Sequence, residues 1–143
     1  MGANLNFAAL ASAAALLAAT AAEADIVHVQ ATLKSAAPAA ATHGKGQLAG
    51  VLDSDRNVLE YTVTYAGLSG PVVTAGFRPA ASDPSDPVVT APAADKTGAI
   101  HAVVTLSNAQ VNDLLAGRWV FDVRTGAAPN GELEGSVRRT SNY

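Results

Sequence analysis

The chain has 143 residues, with nine Lys or Arg against 12 Asp or Glu, a formal charge of −3, 49% hydrophobic residues and no cysteine. That charge balance argues against a nucleic-acid partner. The missing cysteine excludes disulfides, thiol chemistry and cysteine metal sites, so the fold has to rest on packing and ladder hydrogen bonds.

The first residues read as an address. Phe7 to Ala22 carries no charge, is dominated by alanine with Leu10, Leu16 and Leu17, and ends in Ala22-Glu-Ala24. This small-x-small pattern suits cleavage before Asp25. Residues 2–6 hold no Lys or Arg, leaving only the amino terminus as positive charge. A membrane anchor needs roughly 20 apolar residues, more than this run supplies. The expectation is a secretory signal over 1–24 and one domain over 25–143, secreted or periplasmic and without a membrane span after cleavage. The mature part keeps nine Lys or Arg and eleven acids (12 less Glu23).

Period-2 alternation then predicts a series of strands. Val27, Val29, Ala31 and Leu33 share one face of the first, opposite Ile26, His28, Gln30 and Thr32. Leu48, Gly50 and Leu52 continue the pattern. Leu59, Tyr61, Val63 and Tyr65 alternate with Val58, Glu60, Thr62 and Thr64. Asp53-Ser-Asp-Arg-Asn57 joins two of these runs, and Gly67-Leu-Ser-Gly-Pro71 closes the next. Residues 78–97 hold four prolines and three aspartates, a surface excursion with Val88-Val89-Thr90 as a short strand candidate. Ile100, Ala102, Val104 and Leu106 form the next apolar face.

One helix interrupts the strands at about 107–116. Ser107 and Gln110 form a capping box, Val111, Leu114 and Leu115 the apolar stripe, and Gly117 the stop. Trp119, Phe121 and Val123 then alternate into Pro129-Asn-Gly131, after which Leu133, Gly135 and Val137 follow, a signal for paired antiparallel strands. Many short strands with one helical crossover predict an all-β fold, an antiparallel β-sandwich or partly open β-barrel with one short helix.

Several of these pieces, in this order, resemble the CHRD (chordin-type) domain family: Gly46-Gln-Leu-Ala-Gly50, Leu59-Glu-Tyr-Thr-Val-Thr-Tyr-Ala-Gly-Leu68, Leu106-Ser-Asn-Ala-Gln110, and Leu115-Ala-Gly117 through to Pro129-Asn-Gly-Glu-Leu-Glu-Gly135. The likeness covers most of residues 25–139. It implies an immunoglobulin-like β-barrel, usually extracytoplasmic, of largely undefined molecular role. The chain also departs from the family. After the Gly-Leu turn the family typically shows a His-apolar-His pair and a glycine-rich loop. Here Gly76 and Arg78 of Ala75-Gly-Phe-Arg-Pro79 stand where the imidazoles would be. Neither glycine nor a protonated guanidinium can ligate a metal.

The remaining candidates have simpler readings. Asp53 to Asn57 resembles the opening of a calcium loop, but Val58 occupies the sixth position and Thr64 the twelfth, so a hairpin turn is the reading adopted. Asp83 and Asp86 suit a solvated loop better than a cation site. His28 and His101 fall on the faces opposite the apolar sets, and His43 in a loop; none has a partner at metal-site spacing. Ser69 lacks a nucleophile elbow. Glu132 and Glu134, two apart, are expected to point outward with Arg138 and Arg124 as partners. Trp119 and Phe121 are expected in the core rather than on a sugar-stacking platform.

The sequence therefore points to an exported non-catalytic module with no catalytic residues, cofactor or metal site, whose partner is an unidentified extracytoplasmic protein or polysaccharide. Its rivals are a metal-dependent enzyme of superoxide-dismutase-like barrel type and a polysaccharide or matrix adhesion module. Protein recovered from periplasm or medium should have the intact mass of a chain beginning at Asp25. A full-length chain in the membrane fraction would refute the signal.

Overall fold

Alternation along the chain becomes a single curled sheet. The computed structural model describes residues 25–36, 44–81, 89–92 and 98–140. These form β1 (Ile26–Ser35), β2 (Lys45–Asp53), β3 (Val58–Ala66), β4 (Val72–Pro79), β5 (Val89–Thr90), β6 (Ala99–Thr105), α1 (Asn108–Leu115), β7 (Trp119–Thr125), β8 (Leu133–Ser136) and β9 (Arg138–Arg139). The order across the sheet is β5-β4-β7-β8-β1-β2-β3-β6, with β9 beside β1, and every pairing is antiparallel. The fold is all-β, a curled half-barrel, and it takes the partly open form among the expected architectures. The signal segment 1–24 lies outside the described residues.

Along β1, β2 and β3 the burial alternates residue by residue, as the apolar pattern requires. Val27, Val29, Ala31, Leu33, Leu48, Leu52, Leu59, Tyr61 and Val63 all face the core. The β2–β3 hairpin is set by Asp53, whose Oδ1 accepts the N–H groups of Asp55 at 3.2 Å and Arg56 at 3.1 Å. Asn57 closes the turn with φ 57°. This carboxylate is thus occupied in building a turn, as the sequence reading has it.

The connection from β3 to β4 joins the two halves of the sheet, since β3 pairs with β2 and β6, and β4 with β5 and β7. The rings of the two halves meet inside the curl. Tyr61 of β3 lies edge-on to Phe77 of β4 with centroids 4.9 Å apart. Phe77 in turn lies edge-on to Phe121 of β7 at 4.9 Å and tilted against Trp119 at 5.5 Å. Such pairs add about 0.5–1.5 kcal/mol each beyond the area they bury.

Ser107 Oγ accepts the Gln110 N–H at 3.1 Å while Gln110 Oε1 accepts the Ser107 N–H at 2.8 Å, the predicted capping box. Val111 and Leu114 are buried. Gly117, at φ 72°, ends the helix in a conformation that favours glycine. β7 and β8 pair from Val120↔Ser136 to Val123↔Leu133. Their connection is two successive turns, closed by Ala128 N–H to Thr125 O and Gly131 N–H to Ala128 O, rather than a tight two-residue hairpin. The short strand candidate appears as β5; Val88 lies outside the described residues.

Trp119, Phe121 and Val123 are 1%, 0% and 0% exposed, so the sugar-platform alternative has no exposed rings to use. Trp119→Ala is expected to cost about 3–5 kcal/mol, the usual loss for a large core aromatic. Denaturant unfolding measures it; a loss below about 1 kcal/mol would be that of a surface residue.

Candidate functional site

β7 is buried on both faces, and the face turned away from the rings carries charge. The β4–β7 register sets Gly76 opposite Asp122 and Arg78 opposite Val120. Arg78 and Asp122 are only 4% and 3% exposed. Arg78 Nε donates to Asp122 Oδ2 at 2.9 Å, and Arg78 Nη2 lies 3.0 Å from Glu134 Oε2. Arg124 Nη2 also donates to Asp122 Oδ2, at 3.3 Å. Two guanidinium groups and two carboxylates thus interlock across β4, β7 and β8. Burial pushes the Asp122 carboxyl above the usual carboxylate range, while the hydrogen bond from Arg78 and the charges of Arg124 and Arg78 pull it back. Arg124 Nε and Thr125 Oγ1 are buried without a hydrogen-bond partner among the described residues.

This arrangement explains the departure at 76 and 78. A Cβ on Gly76 would lie 2.4 Å from the Val89 carbonyl oxygen and 3.2 Å from the Thr90 Cα. The backbone of β5 occupies the space a side chain would need, so an imidazole at 76 is incompatible with this β4–β5 pairing. Arg78 offers only donors, and two of its nitrogens are directed at carboxylates. Within the cluster each carboxylate is paired with a guanidinium group, Asp122 with Arg78 and Arg124 and Glu134 with Arg78.

Two expectations about the acids require correction. Glu132 is 0% exposed instead of pointing to solvent. Its carboxylate accepts the Ser69 N–H, at 3.0 Å on Oε1 and 3.2 Å on Oε2, and also accepts the Ser69 hydroxyl. The alternation argument fails because β8 starts at Leu133, one residue later, and Gly131 before it has φ 123°. Glu132 therefore turns inward and ties the β3–β4 connection to the start of β8. Ser69, weighed as a nucleophile, is taken up by this contact. Glu134 is half-exposed and pairs with Arg78 rather than with Arg138 or Arg124. Asp122 was not singled out at all. Its only local signal was an acid inside the apolar run Trp119-Val-Phe-Asp-Val123, and its partner Arg78 lies 44 residues away.

His28 and His101 are exposed, as expected, yet less scattered than their positions along the chain imply. His28 and His101 both line a shallow depression of about 300 Å³ on the outer face of β1, β2, β3 and β6, together with Glu60 and Thr62. His101 Nδ1 lies 3.0 Å from Thr62 Oγ1 and its Nε2 lies 3.5 Å from Glu60 Oε1. An ion pair with both side chains 60% exposed contributes little. Among the described residues no group of three or more His, Asp or Glu is placed to hold a metal ion. His43, Asp83 and Asp86 lie outside the described residues. No described helix is long and apolar enough to cross a membrane.

Two grooves flank the exposed end of β1. One, of about 560 Å³, is lined by Gln30, Lys34, Glu134, Ser136 and Arg138. The other, of about 570 Å³, is lined by Lys34, Lys45, Gln47, Thr64 and Tyr65. Both present basic and hydroxyl or amide groups to solvent, a lining suited to polar ligands.

Arg78→Ala is expected to destabilise the fold by about 3 kcal/mol, because it leaves Asp122 buried without its closest partner. Arg78→Lys should recover little of this loss, since a compact ammonium cannot reach two carboxylates as the guanidinium fork does. Chemical denaturation of both variants checks the pair; full rescue by lysine would show that charge alone matters here.

The geometry agrees with the resemblance seen in the sequence, and the comparisons with known proteins sharpen it. No curated protein matches the chain. The CHRD domain model, in contrast, matches residues 29–137, which run from the middle of β1 to the residue before β9 and so take in the curled sheet, the capped helix and the charged cluster. By that match over most of its length, the chain belongs to the CHRD domain family.

Proposed function

We propose that this protein is an exported, non-catalytic CHRD-domain module that binds a partner or serves structurally outside the cytoplasm. The observation that carries the reading is the fate of positions 76 and 78. Gly76 is covered by the Val89 carbonyl, and Arg78 is held by Asp122 and Glu134. The strand segment where the family typically carries paired imidazoles thus has no group able to ligate or to transfer a proton at neutral pH. Export is supported by the uncharged run ending in Ala22-Glu-Ala24 and by the family, whose members are typically extracellular.

A second reading, contact with polysaccharide or matrix, is favoured by the grooves beside Lys34, Lys45 and Arg138. Exposed hydroxyl, amide and ammonium groups on a sheet suit a hydrated, acidic sugar chain, and such contacts weaken with salt. Tagged mature protein incubated with envelope and culture-medium fractions should retain a protein partner. Capture of glycan alone, lost in Lys34→Glu/Lys45→Glu, would favour the second reading instead.

Metal-loaded and dialysed protein is expected to retain no stoichiometric copper, zinc or iron by elemental analysis. One bound metal per chain, lost in His28→Ala or His101→Ala, would overturn the non-catalytic reading in favour of a metalloenzyme.

A further inference from the structure

The two edges of the sheet are built differently. At one edge β5 is two residues long, with Pro92 two positions beyond it, and the adjoining β4 slips register at Val73. Short strands, prolines and irregularities are the usual protections of a sheet edge against pairing. At the other edge β6 runs for seven residues, Ala99-Ile-His-Ala-Val-Val-Thr105, without a charged residue other than a titratable histidine, without proline, and in unbroken register with β3. Val103 is 62% exposed.

The phase of the β3–β6 ladder identifies which backbone groups are free. Gly98 O accepts the Tyr65 N–H at 3.0 Å, and the Leu106 N–H donates to Asn57 O at 2.7 Å. In an antiparallel ladder these directions alternate. Residues 98, 100, 102, 104 and 106 therefore bond toward β3. Ala99, His101, Val103 and Thr105 direct N–H and C=O away from it, and none of these four makes a backbone bond to another described residue.

We infer that the edge of β6 is an interface for a second copy of this chain, paired antiparallel about a two-fold axis through Ala102. The four outward residues form a set that this axis maps onto itself. Ala99 meets the second copy's Thr105, and His101 meets its Val103, giving up to about eight backbone hydrogen bonds. No like charges are brought opposite one another. Ala102, one of the two alanines of the strand, sits on the axis, where the two inner faces come closest. Ile100 and the half-buried Val104 pair across the inner face and lose their remaining exposure. A foreign strand could use the same backbone groups. A second copy is the occupant proposed because self-pairing here sets no charge against its like and no proline against the ladder.

Mature protein is expected to sediment as a dimer. Val103→Pro should yield a folded monomer whose thermal midpoint, unlike that of the wild type, does not depend on protein concentration, because residue 103 directs its N–H away from β3 and proline is tolerated on that side of an edge strand. Ala102→Cys supplies a test that does not depend on disruption. Residue 102 forms a non-hydrogen-bonded pair with its copy, about 4.5 Å between Cα atoms, within disulfide reach. In this cysteine-free chain the variant should oxidise to a covalent dimer far faster than Val73→Cys, an exposed site on β4. A wild-type chain that remains monomeric, a Val103→Pro chain that remains dimeric, or equal cross-linking at 102 and 73 would each overturn the proposal.

Discussion

The contact on which the rest of this structure depends is the meeting of Tyr61 with Phe77 and Phe121 inside the curled sheet. Tyr61 belongs to the half formed by β1, β2, β3 and β6, and the two phenylalanines to the half formed by β4, β7 and β8. Among the described residues, backbone pairing links the halves at β1 with β8, at Lys34↔Glu134 and Ser35↔Leu133, and at the adjoining bond from Ala36 N–H to Glu132 O. Without ring packing, a sheet so weakly hinged would have little reason to curl. In a chain with no disulfide, apolar burial has to hold the two halves face to face.

That curl sets the environment of β7. One of its faces lines the ring cluster and the other supports the charged cluster of Arg78, Asp122, Arg124 and Glu134. Burying ionisable groups such as Arg78 and Asp122 is unfavourable unless each finds a partner, and here two guanidinium groups face two carboxylates. Replacing a buried ion pair by well-packed apolar residues is often neutral or stabilising, so net stability is not the main contribution of the cluster. It does oppose any slip of β4 against β7, because a one-residue shift would place Arg78 on the ring side. This role is registration of strands, and it accounts for an arginine being compatible with a position where the family typically has histidine.

The proposed function rests on surface rather than on side-chain chemistry. Several polar groups of types capable of chemistry are committed to structure: Asp53 to its turn, Glu132 to Ser69, and Arg78 to two carboxylates. What faces solvent is a sheet of threonine, glutamine, histidine and lysine, grooves at the end of β1, and one long uncharged strand edge. These are the features on which the proposed binding role and the proposed pairing of two copies draw.

The strands, their inward faces and the capped helix were legible in the sequence, because each depends on neighbours two to four positions away. Val27 to Leu33, Leu59 to Val63, Ser107 with Gln110, and Trp119 to Val123 all show their role in local spacing. The hairpin at Asp53 was equally local. Tertiary structure alone decided which acids are buried. Glu132 meets Ser69 across 63 residues and Asp122 meets Arg78 across 44, and period-2 alternation carries no information about such pairings. It also decided that His28 and His101 share a face, through the registers of β1 with β2, β2 with β3, and β3 with β6. Local periodicity fixes the direction of a side chain relative to its own strand; only the order of strands in the sheet determines what lies opposite.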